Sequence, residues 1–409
     1  MLADHNKLRH LAFFEAIASL DDEDPRAKAV AAGLVVLRLV DSWIEEGADA
    51  VAPNRFGVRS VRAAIDEVDA GNPVHAVLAR IVDAMQVSRG LEVQDVMPRV
   101  MAYGRALEYE GNWELANDVY ESVIAHTHPT QESETAILAH LQRGVCLRTL
   151  SRFDEALESY EAAGSIAAQV GDMMGVLRAK IGDAIVTMSR GNLPRADEAF
   201  ERVAREAAAA GKAGPHSMAL HGRAAIAGFR GDYELTVRFA YDALNLSPAP
   251  SERDRILSDI GTAFHKLGIR SAARDAFLVL SVTAQEQYMR WAAMLELMTL
   301  AAEEGSQLAF YQHQQALATA SLPPQLQTEY QMDLGKSYRL LGDATRSAAA
   351  FHEAIRLAEA YGYGRLLFEA ERALQERKQP AVAPRDEFIS PHISDVASAM
   401  RTMREEVMA

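Results

Sequence analysis

The chain has 409 residues, of which 49% are hydrophobic and 24% are charged. This composition supports a large buried core and excludes a globally disordered or collagen-like chain. There are 42 Lys and Arg residues against 57 Asp and Glu residues, which gives a net charge of -15 at pH 7. Because an acidic surface repels phosphate groups, we expect no direct binding to nucleic acid and none to an acidic membrane.

The N-terminus and the single cysteine predict a cytoplasmic protein. Cys146 has no partner for an intramolecular disulfide, and the opening residues MLADHNKLRH lack the basic-then-apolar order of a secretory signal. The longest apolar stretch, near residues 30–40, is interrupted by Gly33 and Arg38. It is shorter than the ~20 residues that a membrane-spanning helix needs, so no membrane helix is expected.

Two helices are predicted at the start of the chain, over residues 4–20 and 25–46. Acidic residues 21–24 separate them, and Pro25 stands in the first turn of the second helix, where proline is tolerated. We expect residues 1–55 to form an N-terminal helical cap that covers the first apolar face of the helices that follow.

A short turn motif then recurs eight times. Its first residues are Gly71, Gly111, Ser151, Gly191, Gly231, Gly268, Gly305 and Gly342. The spacing is 40 residues as far as Gly231 and 37 residues after it. Glycine at this position predicts a left-handed residue that ends a helix, and the Asn or Asp that often follows predicts the cap of the next helix. Each motif therefore predicts the tight turn of a helical hairpin.

Side-chain size follows a fixed pattern around these turns. Small residues stand seven positions before the turn at Ala64, Gly104, Gly144, Ala184, Ala224, Gly261 and Gly335, and Met298 is the exception. Small residues also stand five positions after it at Ala76, Ala116, Ala156, Ala196, Thr236, Ala273 and Ser347, with Phe310 the exception. Aromatic residues stand nine positions after it at Tyr120, Tyr160, Phe200, Phe277 and Phe351. The pattern predicts close helix packing with an aromatic filling the space between hairpins, and a different packing at Gly305.

The order of small residue, turn, alanine and aromatic resembles the tetratricopeptide repeat (TPR) over about residues 56–361, most clearly in residues 139–163. The resemblance implies an all-α fold, a right-handed superhelical α-solenoid of stacked antiparallel hairpins. We expect about eight hairpins and a capping helix over residues 56–378. The period is longer than the ~34 residues usual for this repeat and is similar to TPR variants in bacterial regulatory proteins.

Three local motifs that suggest chemistry have a simpler structural explanation. The pair His126 and His128 offers metal ligands, but it precedes Pro129 in a predicted loop that has no cysteine. Residues 210–217 lack the glycine spacing of a phosphate-binding loop, and Cys146 lies in a repeat helix. We therefore expect no enzyme activity, no metal and no cofactor.

The resemblance implies that the first helix of each hairpin lines a concave groove. The positions matched to that groove give the candidate peptide-binding residues Arg105, Arg148, Arg178, His221, Arg255, Ser258, Thr262, His265, Lys336 and Arg339. Four of them, Arg255, His265, Lys336 and Arg339, form a local positive lining that suits a carboxylate or an acidic peptide. The alternative is that these are solvated helix faces paired with nearby acids.

The C-terminus separates into a proline-containing linker over residues 379–391 and a helix over residues 392–409. An apolar seam runs along this helix through Ile393, Val396, Met400, Met403 and Val407. The helix has four possible roles: it docks in the protein's own groove, pairs with a second copy to form a homo-oligomer, serves as the contact for another protein, or remains a frayed tail.

Two functions fit these features. The first is a non-catalytic protein–protein interaction scaffold that binds a peptide or helix in its concave groove and is regulated by its own C-terminal helix. The alternative is a peptide-responsive regulatory sensor of the bacterial TPR type. Such sensors usually carry a DNA-binding or effector segment, whereas residues 1–55 contain no basic recognition helix.

Overall fold

The computed structural model describes residues 9–21, 24–46, 55–87, 91–375 and 390–409. Within these ranges it contains twenty helices and no strands, so the predicted all-α fold of helical hairpins is confirmed. The contacts divide the chain into two units, Met1–Ala199 and Phe200–Ala409. The predicted linker falls almost wholly outside the described residues.

The first unit contains nine complete helices among its described residues. They are α1 (Leu11–Ser19), α2 (Pro25–Glu46), α3 (Arg55–Asp66), α4 (Pro73–Val87), α5 (Val93–Tyr109), α6 (Trp113–His126), α7 (Ser133–Thr149), α8 (Phe153–Val170) and α9 (Met173–Ser189). The next helix, α10 (Leu193–Ala209), runs across the boundary between the units.

The remaining helices belong to the second unit. They are α11 (Ala213–Phe229), α12 (Tyr233–Leu244), α13 (Pro250–Lys266), α14 (Arg270–Thr283), α15 (Gln287–Glu303), α16 (Gln307–Ala318), α17 (Pro324–Leu340), α18 (Ala344–Tyr361), α19 (Gly364–Gln375) and α20 (Pro391–Met408). No helix in the described ranges combines the length and the apolar character needed to cross a lipid bilayer.

The hairpin turns have the predicted left-handed conformation at most of the repeat positions. Gly111 has φ 80° and Gly342 has φ 83°, and the non-glycine residue Ser151 also has a positive φ of 61°. Gly71 is the exception, because it is not among the residues with positive φ in the described ranges. Aspartates cap the following helices, as at Asp343, whose Oδ1 accepts a hydrogen bond from the Arg346 backbone N–H at 2.9 Å.

The size pattern around the turns corresponds to direct contact between glycine and aromatic residues. A Cβ added to Gly144 would lie 2.6 Å from Cε1 of Tyr160. The same contact recurs at Gly104 with Tyr120, Gly261 with Phe277 and Gly335 with Phe351. The ring of Tyr160 also contacts the next hairpin, since a Cβ on Gly182 would lie 2.4 Å from its Cε1. The Tyr160 ring is therefore held between two helices that carry no side chain at that point. Ala156 belongs to the same buried cluster as Tyr160, and Ala196 at the equivalent position of α10 is also fully buried.

The hairpin at Gly305 uses large residues where the others use small ones, as expected. Met298 and Phe310 are both fully buried. The ring of Phe310 packs edge-on against Tyr338 of α17, with 5.5 Å between the ring centroids. Aromatic packing therefore replaces close backbone approach in this hairpin.

The N-terminal helices α1 and α2 pack against each other and against the helices that follow. Residues 1–8 lie outside the described residues, and the first helix begins at Leu11. Phe13 of α1 and Trp43 of α2 are buried in one hydrophobic cluster with residues of α3 to α6. Helix α1 contacts α2 and α6.

The C-terminal helix folds back onto its own unit. Helix α20 contacts α14 and α12, which are the second helices of their hairpins. Ile393, Val396 and Met400 are buried in the same cluster as residues of those two helices. Arg404 reinforces the contact, because its guanidinium lies 2.8 Å from Oδ1 of the buried Asp275. Three of the five seam residues are therefore covered by the chain itself, and the other two, Met403 and Val407, are half-buried.

Candidate functional site

The ten candidate groove residues fall into two sets. Arg105, Arg148 and Arg178 belong to the first unit, and the other seven belong to the second. We call the surface formed by these positions on the first helices of the hairpins the first-helix face of each unit. The electrostatic environment differs between the two sets.

His221 is the centre of a charged cluster in the second unit. Its Nδ1 donates to Glu252 Oε1 at 2.7 Å, and its Nε2 donates to Asp259 Oδ2 at 2.8 Å. Burial lowers the pKa of His221, but the two carboxylates outweigh it and raise that pKa to about 9. Helices α11 and α13 are therefore joined by a protonated histidine between two acids.

His265 on α13 has a similar environment, with its acidic partners on the next first helix, α15. Its Nε2 lies 3.0 Å from Glu303 Oε2, and its Nδ1 lies 3.7 Å from Glu296. These two carboxylates raise the pKa of His265 to about 9 against the effect of burial. Arg270 also contacts Glu303, with Nε 3.2 Å from Oε2.

These histidines predict a pH-dependent stability for the second unit. A histidine whose pKa is raised on folding stabilises the fold fully below its ordinary pKa of 6.5. That contribution is lost as the pH rises through about 9. We expect the melting temperature to fall over this range and the fall to be smaller in the His221→Gln/His265→Gln double variant. Thermal unfolding at several pH values measures the effect, with His352→Gln, an exposed histidine on α18, as the control.

A decrease in melting temperature that is equally steep in the double variant and in wild type would show that other groups cause it. The comparison is made above pH 6 because the lowered pKa values of Glu252 and Glu303 produce a separate loss of stability in acid.

The other basic candidates of the second unit also have partners. Lys336 Nζ lies 2.7 Å from Asp333 Oδ1, and Arg255 lies 3.6 Å from Glu252. Arg339 donates to the backbone oxygen of Ala373 at 2.6 Å and lies 4.8 Å above the Phe351 ring. The local positive lining is thus largely neutralised by neighbouring groups. Ser258 is half-buried and Thr262 is exposed.

The sequence contains a signal for this charge pairing that the comparison of turns and small residues did not detect. The position nine residues before the turn is Gly182 in α9 and Gly222 in α11, where aromatic rings pack against it. The equivalent positions in α13, α15 and α17 are Asp259, Glu296 and Asp333. These acids contact the basic groups of the first-helix face, so their repetition in the sequence indicates the pairing.

In the first unit, Arg105 lies near the buried carboxylate of Glu108, and Arg148 lies near the buried Tyr160. Glu108 accepts a hydrogen bond from the Tyr120 hydroxyl at 2.6 Å, and burial raises the pKa of Glu108 although Arg105 lowers it. Arg148 lies beside Tyr160, and its buried Nε has no hydrogen-bond partner in the described residues. Arg148 is therefore a cation without a carboxylate partner in the described part of the chain.

Arg178 lines a cleft between the first helices α7 and α9. The cleft has a volume of about 400 Å³. Its lining residues are Ser133, Glu134, Ile137, Leu138, Leu141, Val170, Asp172, Met174, Gly175 and Arg178. Gly175 allows α9 to approach α7, because a Cβ there would lie 3.1 Å from Ile137 Cγ2. Val170 and Met174 form an exposed apolar rim.

Two of the three charged residues of this cleft are unpaired among the described residues, and the third, Asp172, accepts a hydrogen bond from the Met174 backbone N–H at 3.0 Å. Within the described ranges, neither Arg178 nor Glu134 makes an ion pair or a side-chain hydrogen bond. The cleft therefore combines an apolar floor with a free guanidinium at one side, unlike the neutralised surface of the second unit. A free guanidinium binds a carboxylate with two parallel hydrogen bonds.

The two histidines at the end of α6 lie apart and have different partners. His126 is the last residue of α6 rather than a loop residue, and its Nε2 lies 2.7 Å from Asp41 Oδ1. His128 lies apart from it, and its ring contacts Thr130 Oγ1. In the described part of the chain, no group of three or more His, Cys, Asp or Glu residues could hold a metal ion.

Comparisons with known proteins identify similar structures. No protein-family model matches the chain, and no curated protein sequence matches it. Among solved structures, the Rap conjugation gene regulator of plasmid pLS20 in complex with the Phr* peptide has a TM-score of 0.50 at 14% identity, covering 85% of this chain and 99% of that one. The apo quorum sensor NprR from B. thuringiensis has a TM-score of 0.52 at 13% identity, covering 82% and 99%.

A third similar structure is a signal-transduction STAND protein with a tetratricopeptide repeat sensor, from Pyrococcus horikoshii. Its TM-score is 0.51 at 12% identity, and the match covers 87% of this chain and 56% of that one. This chain therefore spans little more than half of that protein. At such identities the three likenesses establish the fold and nothing beyond it.

Proposed function

We propose that this chain, which has the tetratricopeptide repeat fold, is a non-catalytic binding module that holds a peptide on the first-helix face of its first unit. The observation that carries the proposal is the cleft between α7 and α9, where Arg178 has no partner in the described residues beside an apolar floor. Its volume of about 400 Å³ lies within the range of ligand pockets. A Rap regulator of the same fold is described with a bound peptide, which supports this reading.

The cleft suits a peptide with a carboxylate next to an apolar side chain. The guanidinium of Arg178 binds the carboxylate, which is either an acidic side chain or a free C-terminus. Ile137, Leu138 and Leu141 provide the apolar surface for the neighbouring side chain. Relative to its hairpin turn, Arg148 lies ten residues closer to the end of α7 than Arg178 lies to the end of α9. At 1.5 Å per residue, this is an offset of about 15 Å along the helix axis. Arg148 therefore supplies a second cation for a longer peptide.

The test is selection from a random peptide library on the full chain. We expect wild type to enrich peptides that combine an acidic group with an apolar residue. Arg178→Glu leaves the cleft with three acids, because Glu134 and Asp172 already line it, and with no cation. The variant should therefore lose these peptides, with affinity falling at least about tenfold. Arg80→Glu makes the same charge change at an exposed position of α4 and should retain them. Equal binding by wild type and Arg178→Glu would exclude this cleft as the site.

A peptide-responsive sensor is the second candidate, and α20 favours it. This helix is a separate element held on α12 and α14 by its own seam and by Arg404. In a sensor, binding of a selected peptide changes hydrogen exchange of α20 amides. In a scaffold, exchange of α20 is the same with and without peptide.

A further inference from the structure

The outer face of α14 differs in polarity from the outer faces of α8, α10 and α18. We define the α14 outer face by the residues seven, ten, eleven and fourteen positions after Gly268, which are Asp275, Leu278, Val279 and Val282. At positions ten and fourteen, the other three second helices carry exposed polar or charged residues, which are Glu161 and Ser165, Glu201 and Arg205, and His352 and Arg356. The α14 outer face is therefore apolar where the equivalent helices meet water.

Helix α20 packs against the α14 outer face. Asp275 and Val279 are buried, and Leu278 is half-buried. The carboxylate of Asp275 lies 2.8 Å from the guanidinium of Arg404, so α20 neutralises the one charged residue of this face. The α14 outer face is thus suited to a helix that combines an apolar seam with a cation.

The side chains through which α20 docks follow a simple pattern. The three buried apolar residues and the cation stand at positions i, i+3, i+7 and i+11, which are Ile393, Val396, Met400 and Arg404. Residues at these spacings share one face of an α-helix, so other amphipathic helices can present the same side chains. Docking of such a helix in an apolar groove is a common mode of protein recognition.

Helix α20 does not fill the surface on which it lies. At its start, an open cleft of about 580 Å³ lies between Ser390, His392 and the beginning of α12. Towards its end, Met403 and Val407 are only half-buried. On α14 itself, Val282 remains 50% exposed. A helix that also covers Val282 would remove more apolar surface from water than α20 does.

We propose that the α14 outer face is a docking site for an amphipathic helix of a partner protein, and that α20 occupies this site and competes with the partner. Because α20 belongs to the same chain, its docking is intramolecular, and a partner helix must outcompete it. The site is therefore closed in the chain alone and opens only to a well-matched helix. It is separate from the cleft at Arg178, so its test does not depend on peptide binding there.

The test measures the binding of two helical peptides to the full chain by fluorescence anisotropy. The first peptide has the sequence of residues 390–409. The second keeps only the four side chains of the docking pattern and has alanine or glutamine elsewhere. We expect both to bind the Met400→Asp chain, in which α20 is released while the α14 outer face is unchanged. Wild type should bind them at least about tenfold more weakly, because α20 occupies the site. Arg404→Glu in the chain, which places two acids together, is a second way to release α20.

Two substitutions in the Met400→Asp chain localise the binding. Leu278→Asp places a charge in the α14 outer face, so the affinity for both peptides should fall at least about tenfold. His352→Asp introduces the same residue at the equivalent, exposed position of α18 and should not change the affinity. The Arg404→Glu form of the first peptide should also bind more weakly, since it brings a second acid to Asp275.

Four results would overturn the proposal. Neither peptide might bind the two chains with released α20, or Leu278→Asp and His352→Asp might bind equally well. Equal affinity in wild type and Met400→Asp would show that α20 does not compete. Binding of the first peptide alone would show that the site is specific for α20. Light scattering tests the remaining occupant, because a wild-type dimer that Met400→Asp dissociates would assign the site to α20 of a second copy in place of a partner protein.

Discussion

Replacing Gly144 with leucine is expected to lower the free energy of unfolding by about 3 kcal/mol or more, at the upper end of measured overpacking effects. Even the Cβ of the new side chain would lie 2.6 Å from the Tyr160 ring. The ring cannot move away, because Gly182 of the next hairpin holds its other side at a similarly short distance. Relief therefore requires α7 and α8, or α8 and α9, to separate. Urea or thermal unfolding of the full chain measures the loss.

Gly228→Ala is the matched control for this substitution. Gly228 also lies in a first helix, but the nearest atom to an added Cβ is Thr236 Oγ1 at 3.5 Å, an ordinary contact. Alanine has the better helix propensity, so this variant should be as stable as wild type or slightly more stable. If Gly144→Leu unfolded like wild type, the glycine–tyrosine contact would not exist in solution.

Met400→Asp is expected to release the C-terminal helix while leaving most of the chain folded. Met400 is fully buried between α20 and the second unit, and an aspartate there would be a buried charge without a partner. Such a substitution costs several kcal/mol, and it also removes one of the three buried side chains that hold this helix of 18 residues. Hydrogen exchange measures the release, because the amides of α20 should lose protection in the variant.

Met408→Asp tests whether the effect depends on burial. Met408 lies on the same helix but is 60% exposed, so its replacement should leave exchange of α20 as in wild type. Equal protection of α20 in Met400→Asp and wild type would mean that the helix is not held by its apolar seam. A loss of protection throughout the second unit would instead show that α20 is an integral part of its core.

The hairpins were predictable from the sequence because each depends on local features. A glycine turn, a small residue seven positions before it and an aromatic nine positions after it lie within one hairpin, so one repeat contains the whole signal. Gly144 and Tyr160 show this directly, since the contact predicted from their spacing is present. Asn112 shows the limit, because its side chain makes no capping hydrogen bond despite its position.

The electrostatics of the candidate site could not be predicted in the same way. Whether a basic residue is free depends on acids in the next hairpin, such as Asp259 for His221 and Glu303 for His265, each 38 residues further along. A search restricted to one hairpin cannot find them, although the separation is nearly one repeat. The docking surface of α20 was also unpredictable, because an apolar seam fits any apolar face. The buried Asp275 on α14 distinguishes the face on which α20 docks from other apolar faces, because it pairs with Arg404.

The ring of Tyr160 has a consequence for how such a protein gains or loses repeats. Since the ring occupies the space of a missing side chain in α7 and again in α9, α8 matches both neighbours and not only its hairpin partner. A duplication or deletion with its breakpoint in the turn between α7 and α8 keeps the contact of Tyr160 with α9 and loses the contact with α7. The lost contact is restored only if the new neighbouring helix also has glycine at that position. Gly222 offers such a neighbour, because it receives the Phe200 ring in the same manner. In α13, α15 and α17 the equivalent position is acidic, so repeats from the two parts of the chain are not interchangeable building blocks.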